Sequence, residues 1–213
     1  MEIKKFTFNP FQENTYLFVA DNKDCLVIDP GCYSEAEKEE LLGYIKNEGL
    51  NPVGLINTHC HIDHILGNGL ISKTFNLPLQ GHELEKDILY RSPAWGLQYG
   101  IKCEPSPEIT VFLKEGDKVN CGAEEFEVIF VPGHSPGHIA LINHKHKIAF
   151  VGDVLFKGSF GRVDLPGGDI KVLVNSIMLK LFNLGSDYTV YAGHMEETTI
   201  GAEKKSNMIY QFT

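Results

Sequence analysis

Four side chains of ligand type fall inside the run Thr58-His59-Cys60-His61-Ile62-Asp63-His64. In an extended turn leaving a strand, His59 and His61 point the same way, because the side-chain period there is two, so together they can grip one cation. Asp63 and His64 follow where the chain bends into a helix and can be aimed at a second point a few ångströms away. Such a cluster suits two adjacent cations. Imidazole and carboxylate are the usual nitrogen and oxygen ligands of zinc, and catalytic sites leave part of the shell open for water. Three later segments each offer one more ligand after a glycine: Val131-Pro132-Gly133-His134, Phe150-Val151-Gly152-Asp153 and Tyr191-Ala192-Gly193-His194. Glycine allows a sharp turn and leaves room beside an ion.

The elements that must position these residues are legible from periodicity and turn signals. Short β-rich runs at Ile3 to Phe8, Thr15 to Ala20 and Cys25 to Ile28 read as an antiparallel meander. Ser34 to Glu48 opens with Ser34 and Glu37 in a capping-box spacing and reads as a helix. Val53 to Ile56 is a strand running into the His-rich segment, and Ile65 to Phe75 resumes a helical pattern. A strand at Leu77 to Gln80 and a helix from Glu83 to Arg91 follow, then Ser92 to Pro107, whose three prolines predict a surface loop. A second β-rich half, Val111 to Asp153, has its clearest strands at Glu125 to Val131, Ile139 to Asn143 and Ile148 to Val151. A helix at Ile170 to Phe182, a strand at Tyr188 to Tyr191 and a helix near Glu203 to Tyr210 complete the chain. The order of meander, helix, strand, helix occurs twice. It predicts an α/β protein of four layers, an αββα sandwich of two mixed sheets face to face with helices outside, as one domain over residues 1–213.

Composition limits the function classes. Apolar residues are 43% and charged residues 22% of the 213, ordinary values for a chain with a packed core. The 28 carboxylates against 19 Lys and Arg argue against nucleic acid as a partner, which needs clustered basic residues. Cys25, Cys32, Cys60, Cys103 and Cys121 form no spaced framework and are read as reduced. No run approaches membrane-spanning length and the first residues lack a signal-peptide pattern, so no membrane partner is expected and the cytoplasm is the default location.

The pattern His59-x-His61-x-Asp63-His64 with His134, Asp153 and His194 resembles the metallo-β-lactamase superfamily over essentially the whole chain. Within it the sequence is similar to the short glyoxalase II-like (hydroxyacylglutathione hydrolase-like) proteins, through Pro132 to His138, Gly161 to Asp169, Glu104 to Pro107 and Leu113 to Asp117. The resemblance implies one metal on His59, His61 and His134, a second on Asp63, His64 and His194, and Asp153 bridging them. It implies two Zn²⁺ per chain, with Fe or a mixed pair as the alternative. Where relatives often carry His-Gly-Pro, this chain has His194-Met195-Glu196-Glu197, which alters the rim beside the second metal.

Two dications ~3.5–4 Å apart can hold a bridging hydroxide at neutral pH, since zinc-bound water has a pKa near ~7. The expected enzyme is therefore a zinc-dependent hydrolase in which hydroxide attacks a carbonyl and Asp63 orients it. Counting formal charge leaves the loaded site positive, which suits a small anionic substrate. A thiol of pKa near ~8.5 can leave without a general acid, so a thioester such as S-lactoylglutathione is the favoured substrate. By similarity, Arg162 contacts the thiol carrier. The alternatives are a persulfide dioxygenase-like oxidoreductase, with a single iron on His59, His134 and Asp153, and a hydrolase of lactones or β-lactams.

Overall fold

The computed structural model describes residues 1–213. Contacts between Cα atoms group the chain into two compact units, Met1–Phe112 with Asn120–Glu124, and Leu113–Val119 with Glu125–Thr213.

The first unit opens with β1 (Glu2–Phe8), β2 (Glu13–Val19) and β3 (Asp24–Ile28), the expected meander. Helix α1 (Glu35–Asn47) and β4 (Asn51–Ile56) follow. The pattern read as one helix from Ile65 to Phe75 is two, α2 (Ile62–Ile65) and α3 (Asn68–Phe75), because the chain turns at Leu66 and Gly67. A Cβ on Gly67 would lie 2.6 Å from the Cys32 sulfur, so only glycine lets the turn sit this close to the loop after β3. Strand β5 (Leu79–Gly81), helix α4 (Lys86–Gln98) and β6 (Ile109–Phe112) complete the unit. Its sheet runs β1-β2-β3-β4-β5-β6, antiparallel through β3 and parallel beyond it.

Helix α4 overturns part of the loop expected at Ser92 to Pro107. It runs through Pro93 to Gln98, seven residues past Arg91. Proline removes one N–H, but the cost is offset by burial. The Ser92 hydroxyl lies 2.7 Å from the Cys60 carbonyl and 2.9 Å from that of Ile88. Gly96 approaches Ile62 so closely that a Cβ would sit 3.0 Å from its side chain. The helix thus continues because it packs under the ligand segment, a tertiary contact that outweighs local propensity.

The second unit has β7 (Lys118–Cys121), β8 (Glu124–Phe130), β9 (Ile139–Asn143) and β10 (Ile148–Gly152), then the small hairpin β11 (Leu155–Phe156) and β12 (Ser159–Phe160). Helix α5 (Ile170–Leu179), β13 (Thr189–Ala192), β14 (Thr198–Thr199) and α6 (Ile200–Ser206) follow. The sheet order is β14-β13-β10-β9-β8-β7, with β10 and β13 parallel. Strands β2, β9 and β10 are buried at every position, so both faces of each sheet centre are covered. Leu17, Val27, Leu41, Ile45, Leu55 and Ile71 form one core, and Val131, Ile142, Val151, Leu173, Ile177 and Val190 the other.

The capping box at the start of α1 is present: Glu37 N–H donates to Ser34 Oγ at 3.3 Å and Ser34 N–H to Glu37 Oε2 at 2.8 Å. The Glu37 carboxylate also accepts the Asn9 and Tyr33 N–H groups, each at 2.8 Å. Partial burial opposes its ionisation, but these backbone donors win and hold the carboxyl below its ordinary value. A depressed folded pKa stabilises the protein above the unfolded value of ~4.3 and is lost as pH falls through the folded one. Glu37→Gln is therefore expected to lower the unfolding midpoint at pH 7, with the gap from wild type closing as the pH drops below ~4. Thermal unfolding across pH 3 to 7 measures the difference; a gap that widened on acidification would contradict this account.

Candidate metal centre

In the first unit the ligand segment leaves the C-terminal end of β4 and is gripped from behind by Asp29, at the end of β3. The two strands are parallel neighbours, so their ends lie side by side. Asp29 has φ 49°, a left-handed conformation that turns its carboxylate under the segment. Its Oδ1 accepts Thr58 N–H at 2.7 Å and its Oδ2 accepts the Thr58 hydroxyl at 2.6 Å. The Thr58 hydroxyl has one proton, and that proton goes to Asp29. Its oxygen, 3.2 Å from His59 Nδ1, must then accept from that nitrogen. His59 accordingly carries its proton on Nδ1 and a lone pair on Nε2. His64 Nδ1 lies 3.2 Å from the same carboxylate, at Asp29 Oδ2, within ion-pair distance. Its Nε2 is 3.7 Å from Asp63 Oδ2. The His59 ring lies 4.8 Å from that of His61 and 4.1 Å from that of His64, centroid to centroid, so the sequence cluster is a spatial one.

The other three expected ligands gather in the second unit. Asp153 Oδ2 lies 3.6 Å from His134 Nε2 and 3.4 Å from His194 Nε2, one carboxylate oxygen between two imidazoles. The Arg162 carbonyl accepts from His134 Nδ1 at 2.7 Å, which again leaves Nε2 as the lone-pair nitrogen. His138 takes no place among the ligands: its Nδ1 donates to the Ile139 carbonyl at 3.1 Å, and its Nε2 accepts the Asp153 N–H at 3.0 Å. It steers the Asp153 backbone. Gly133 and Gly152, before two of the ligands, have φ 127° and 48°, values that require glycine or strain. The third turn is built differently. Gly193 is not in the left-handed region; Met195, one residue after His194, takes φ 69° instead.

The donors fit divalent metal. His59 and His134, with Nδ1–H bonded into the protein, present Nε2 lone pairs, and the nearby carboxylates neutralise charge, which is how histidine ligands are oriented. Their burial is uneven: His59 and His64 are 0% exposed and Asp153 7%, whereas the side chains of Asp63 and His194 are 13% and 20% exposed. The cysteines take no part. Cys60 is buried in the core of the first unit, and burial raises its pKa well above the ordinary value. Burial also lifts Cys25 and Cys32 to about 12, and Cys103 and Cys121 to about 11. None is poised as a nucleophile.

Arg162, the expected substrate contact, holds Asp164: Nε and Nη2 donate to the two carboxylate oxygens, each at 2.6 Å. That bond draws the Asp164 carboxyl down to about 2. Trp95 packs against the first core, while Tyr99 is exposed and meets Phe11 edge-on at 5.7 Å. His144 bonds Glu127 and Tyr188, each at 2.7 Å.

Several supporting residues escaped the sequence reading. Asn57 Nδ2 donates to the His64 carbonyl at 3.0 Å, and Asn68 Nδ2 to Asn57 Oδ1 at 2.7 Å. Asn9 Nδ2 donates to the Gly31 and Asp63 carbonyls, both at 3.0 Å. Glu85 Oε2 accepts Cys60 N–H at 2.8 Å. Glu13 is fully buried in β2, which raises its pKa well above the ordinary carboxylate value. The available signal was a polar triplet, Glu13-Asn14-Thr15, opening an otherwise apolar strand.

The fold and site define an enzyme class, and comparison with known proteins agrees: the chain belongs to the metallo-beta-lactamase superfamily, matched over residues 8–194. It is 37% identical to hydroxyacylglutathione hydrolase GloC of Haemophilus influenzae, over 97% of both chains. Among solved structures, that of the BLEG-1 B3 metallo-beta-lactamase superposes with TM-score 0.89 at 33% identity, covering 97% of this chain and 98% of the other. The structure of TTHA1623 in a di-iron-bound form superposes with TM-score 0.87 at 34% identity, over 96% and 98%. The expected fold, two mixed sheets with helices, is that of these neighbours. No helix is long and apolar enough to cross a membrane.

Proposed function

We propose that this metallo-hydrolase cleaves thioesters of a small anionic thiol carrier, of the S-lactoylglutathione kind, using two Zn²⁺. The observation that carries the reading is the orientation of the histidines, with the Nδ1 protons of His59 and His134 bonded into the protein. The 37% identity to a hydroxyacylglutathione hydrolase over nearly the whole of both chains supports the substrate class. In this proposal His59, His61 and His134 would hold one ion and Asp63, His64 and His194 the other, with Asp153 as a ligand shared between the two sets. The pair, when bound, supplies a Lewis acid for the carbonyl and lowers the pKa of water to ~7.

The protein's own groups do the rest. Asp63 orients the attacking water and takes its proton, being a carboxylate at the edge of the cluster with its side chain 13% exposed. Asp29 and Thr58 keep His59 and His64 in register as charge develops. The departing thiolate needs no acid, since its pKa of ~8.5 is close to ambient pH. Arg162 receives the carrier's anionic group. The absence of a framework of paired cysteines suits a reducing cytoplasm, where such thiol carriers are maintained.

Iron is the second reading, favoured by the likeness to a di-iron-bound structure. Protein purified without added metal should contain about two zinc per chain and hydrolyse S-lactoylglutathione ahead of a lactone and a chromogenic β-lactam. Hydrolysis of no thioester would overturn the substrate class. Iron in the protein, with oxygen uptake on glutathione persulfide, would replace the hydrolase by an oxygenase.

A further inference from the structure

The hairpin β11–β12 and the turn that leaves it meet all three candidate ligands of the second unit. The first strand starts at Leu155, just after Asp153. Past the second strand, a Cβ on Gly161 would lie 1.8 Å from the Asp153 carbonyl oxygen and 2.9 Å from His134 Nδ1, so the backbone runs against both residues. The next carbonyl, that of Arg162, accepts from His134 Nδ1 at 2.7 Å. The Phe156 ring meets that of His194 edge-on, with centroids 6.1 Å apart. Only Leu155 with Phe160 and Phe156 with Ser159 are paired, and so short a ribbon is marginal in water by itself. Its position must be fixed from outside.

That support comes from one buried carboxylate. Glu203, on α6, is 3% exposed. Its Oε2 accepts the Gly158 N–H, at the tip of the hairpin, at 2.8 Å and Asn207 Nδ2 at 2.6 Å, while its Oε1 accepts the Thr198 hydroxyl. Asn207 Nδ2 extends the tie, donating also to the Ser159 carbonyl at 2.8 Å and to the Phe156 carbonyl at 3.3 Å. A carboxylate is costly to bury unless its oxygens are bonded, and two of the three donors that satisfy Glu203 are the hairpin tip and the amide that grips it.

We infer that Glu203 is a positioning residue for the metal centre: through Gly158 and Asn207 it holds the β11–β12 hairpin, and through the hairpin it holds the carbonyl that orients His134. This rests on the reading of His134, Asp153 and His194 as ligands and is independent of the substrate. Without the carboxylate the hairpin tip is released, the Arg162 carbonyl is no longer a fixed acceptor, and the His134 proton divides between its two ring nitrogens. Glutamine preserves the device. Its carbonyl oxygen, in the place of Oε2, accepts from Gly158 and Asn207, and its amide donates to the Thr198 oxygen, which as a hydroxyl can accept as well as donate.

Imidazole nitrogen shifts of ¹⁵N-histidine-labelled, metal-free protein at a pH of about 8.5, where histidine is neutral, read the tautomers directly. In wild type and Glu203→Gln, His134 should show the Nδ1–H form. In Glu203→Ala its two nitrogen resonances should converge as both tautomers populate, with those of His59 unmoved. Zinc affinity, by competition against a chromophoric chelator, should fall about three- to tenfold in Glu203→Ala and stay within about twofold of wild type in Glu203→Gln. Asn207→Ala removes the bonds to the hairpin carbonyls but keeps the carboxylate; it should follow Glu203→Ala in both readouts, and it carries the test if Glu203→Ala does not fold. Thr198→Val takes a bond from Glu203 on the side away from the hairpin, so it should lower the unfolding midpoint and leave His134 as in wild type. Unmoved His134 resonances in a folded alanine variant, or converged ones in Thr198→Val, would overturn the positioning role. A wild type that binds no zinc would instead sink the metal reading, and the tautomers would still decide whether Glu203 orients His134.

Discussion

Asp63→Asn is expected to reduce thioester turnover by about 10²-fold or more while leaving the fold intact. The two consequences separate because different parts of the residue do different work. The structural bond at this position is made by the backbone: the Asp63 carbonyl accepts from Asn9 Nδ2 at 3.0 Å, and no side-chain substitution removes it. The carboxylate faces His64 Nε2 at 3.7 Å. Asparagine keeps the size of that group but surrenders its charge and its capacity to take a proton. A proposed base that must accept a proton from water therefore fails with little change in packing. Steady-state hydrolysis of S-lactoylglutathione, alongside thermal unfolding and metal content, measures all three. Turnover within about fivefold of wild type, with metal retained, would exclude Asp63 as the base.

The second large effect is expected at a residue that touches no substrate. Asp29→Ala should cost on the order of 3 kcal/mol in stability, because it strands buried donors that now share one carboxylate. Those donors are the Thr58 N–H and the Thr58 hydroxyl, with His64 Nδ1 3.2 Å from the same carboxylate, and Asp29 itself is 2% exposed. For a chain of 213 residues such a loss lowers the melting temperature by roughly 10 °C. The same change frees the Thr58 hydroxyl to rotate, and with it the preference of His59 for the Nδ1–H form. Metal affinity should then fall by about 10- to 100-fold. Unfolding of metal-free protein reads the first effect, and competition against a chromophoric chelator the second. Asp29→Asn sharpens the comparison. It restores the shape and one acceptor oxygen, so it should recover part of the stability but little of the metal affinity, since an amide cannot stabilise two oriented imidazoles as a carboxylate does.

How much of this was readable in advance varies by element. Helix α1 was visible from Ser34 and Glu37, because a capping box is a local device whose partners are three residues apart. The meander and the strands β9 and β10 were visible for a similar reason, being short runs with turn signals at each end. Helix α4 was not. Pro93 and Gly96 argue locally against a helix, and the burial of Ser92 and Gly96 beneath Cys60 and Ile62 overrode them. The break between α2 and α3 was hidden too, since it depends on Gly67 approaching Cys32 from a distant part of the chain.

The candidate centre divides along the same line. Residue types and spacing alone marked His59, His61, Asp63 and His64 as a candidate metal-binding cluster, with His134, Asp153 and His194 as further candidate ligands, because side-chain chemistry and a period of two are properties of the chain itself. Only the tertiary structure decided which ring nitrogen of His59 and His134 carries the proton. That choice belongs to acceptors far away in sequence: Asp29 acting through Thr58 for His59, and the Arg162 carbonyl for His134. It likewise turned Arg162 from a lone cation into half of a fork already occupied by Asp164, a pairing two residues long whose geometry the loop backbone sets, pinned as it is to Asp153 and Gly133.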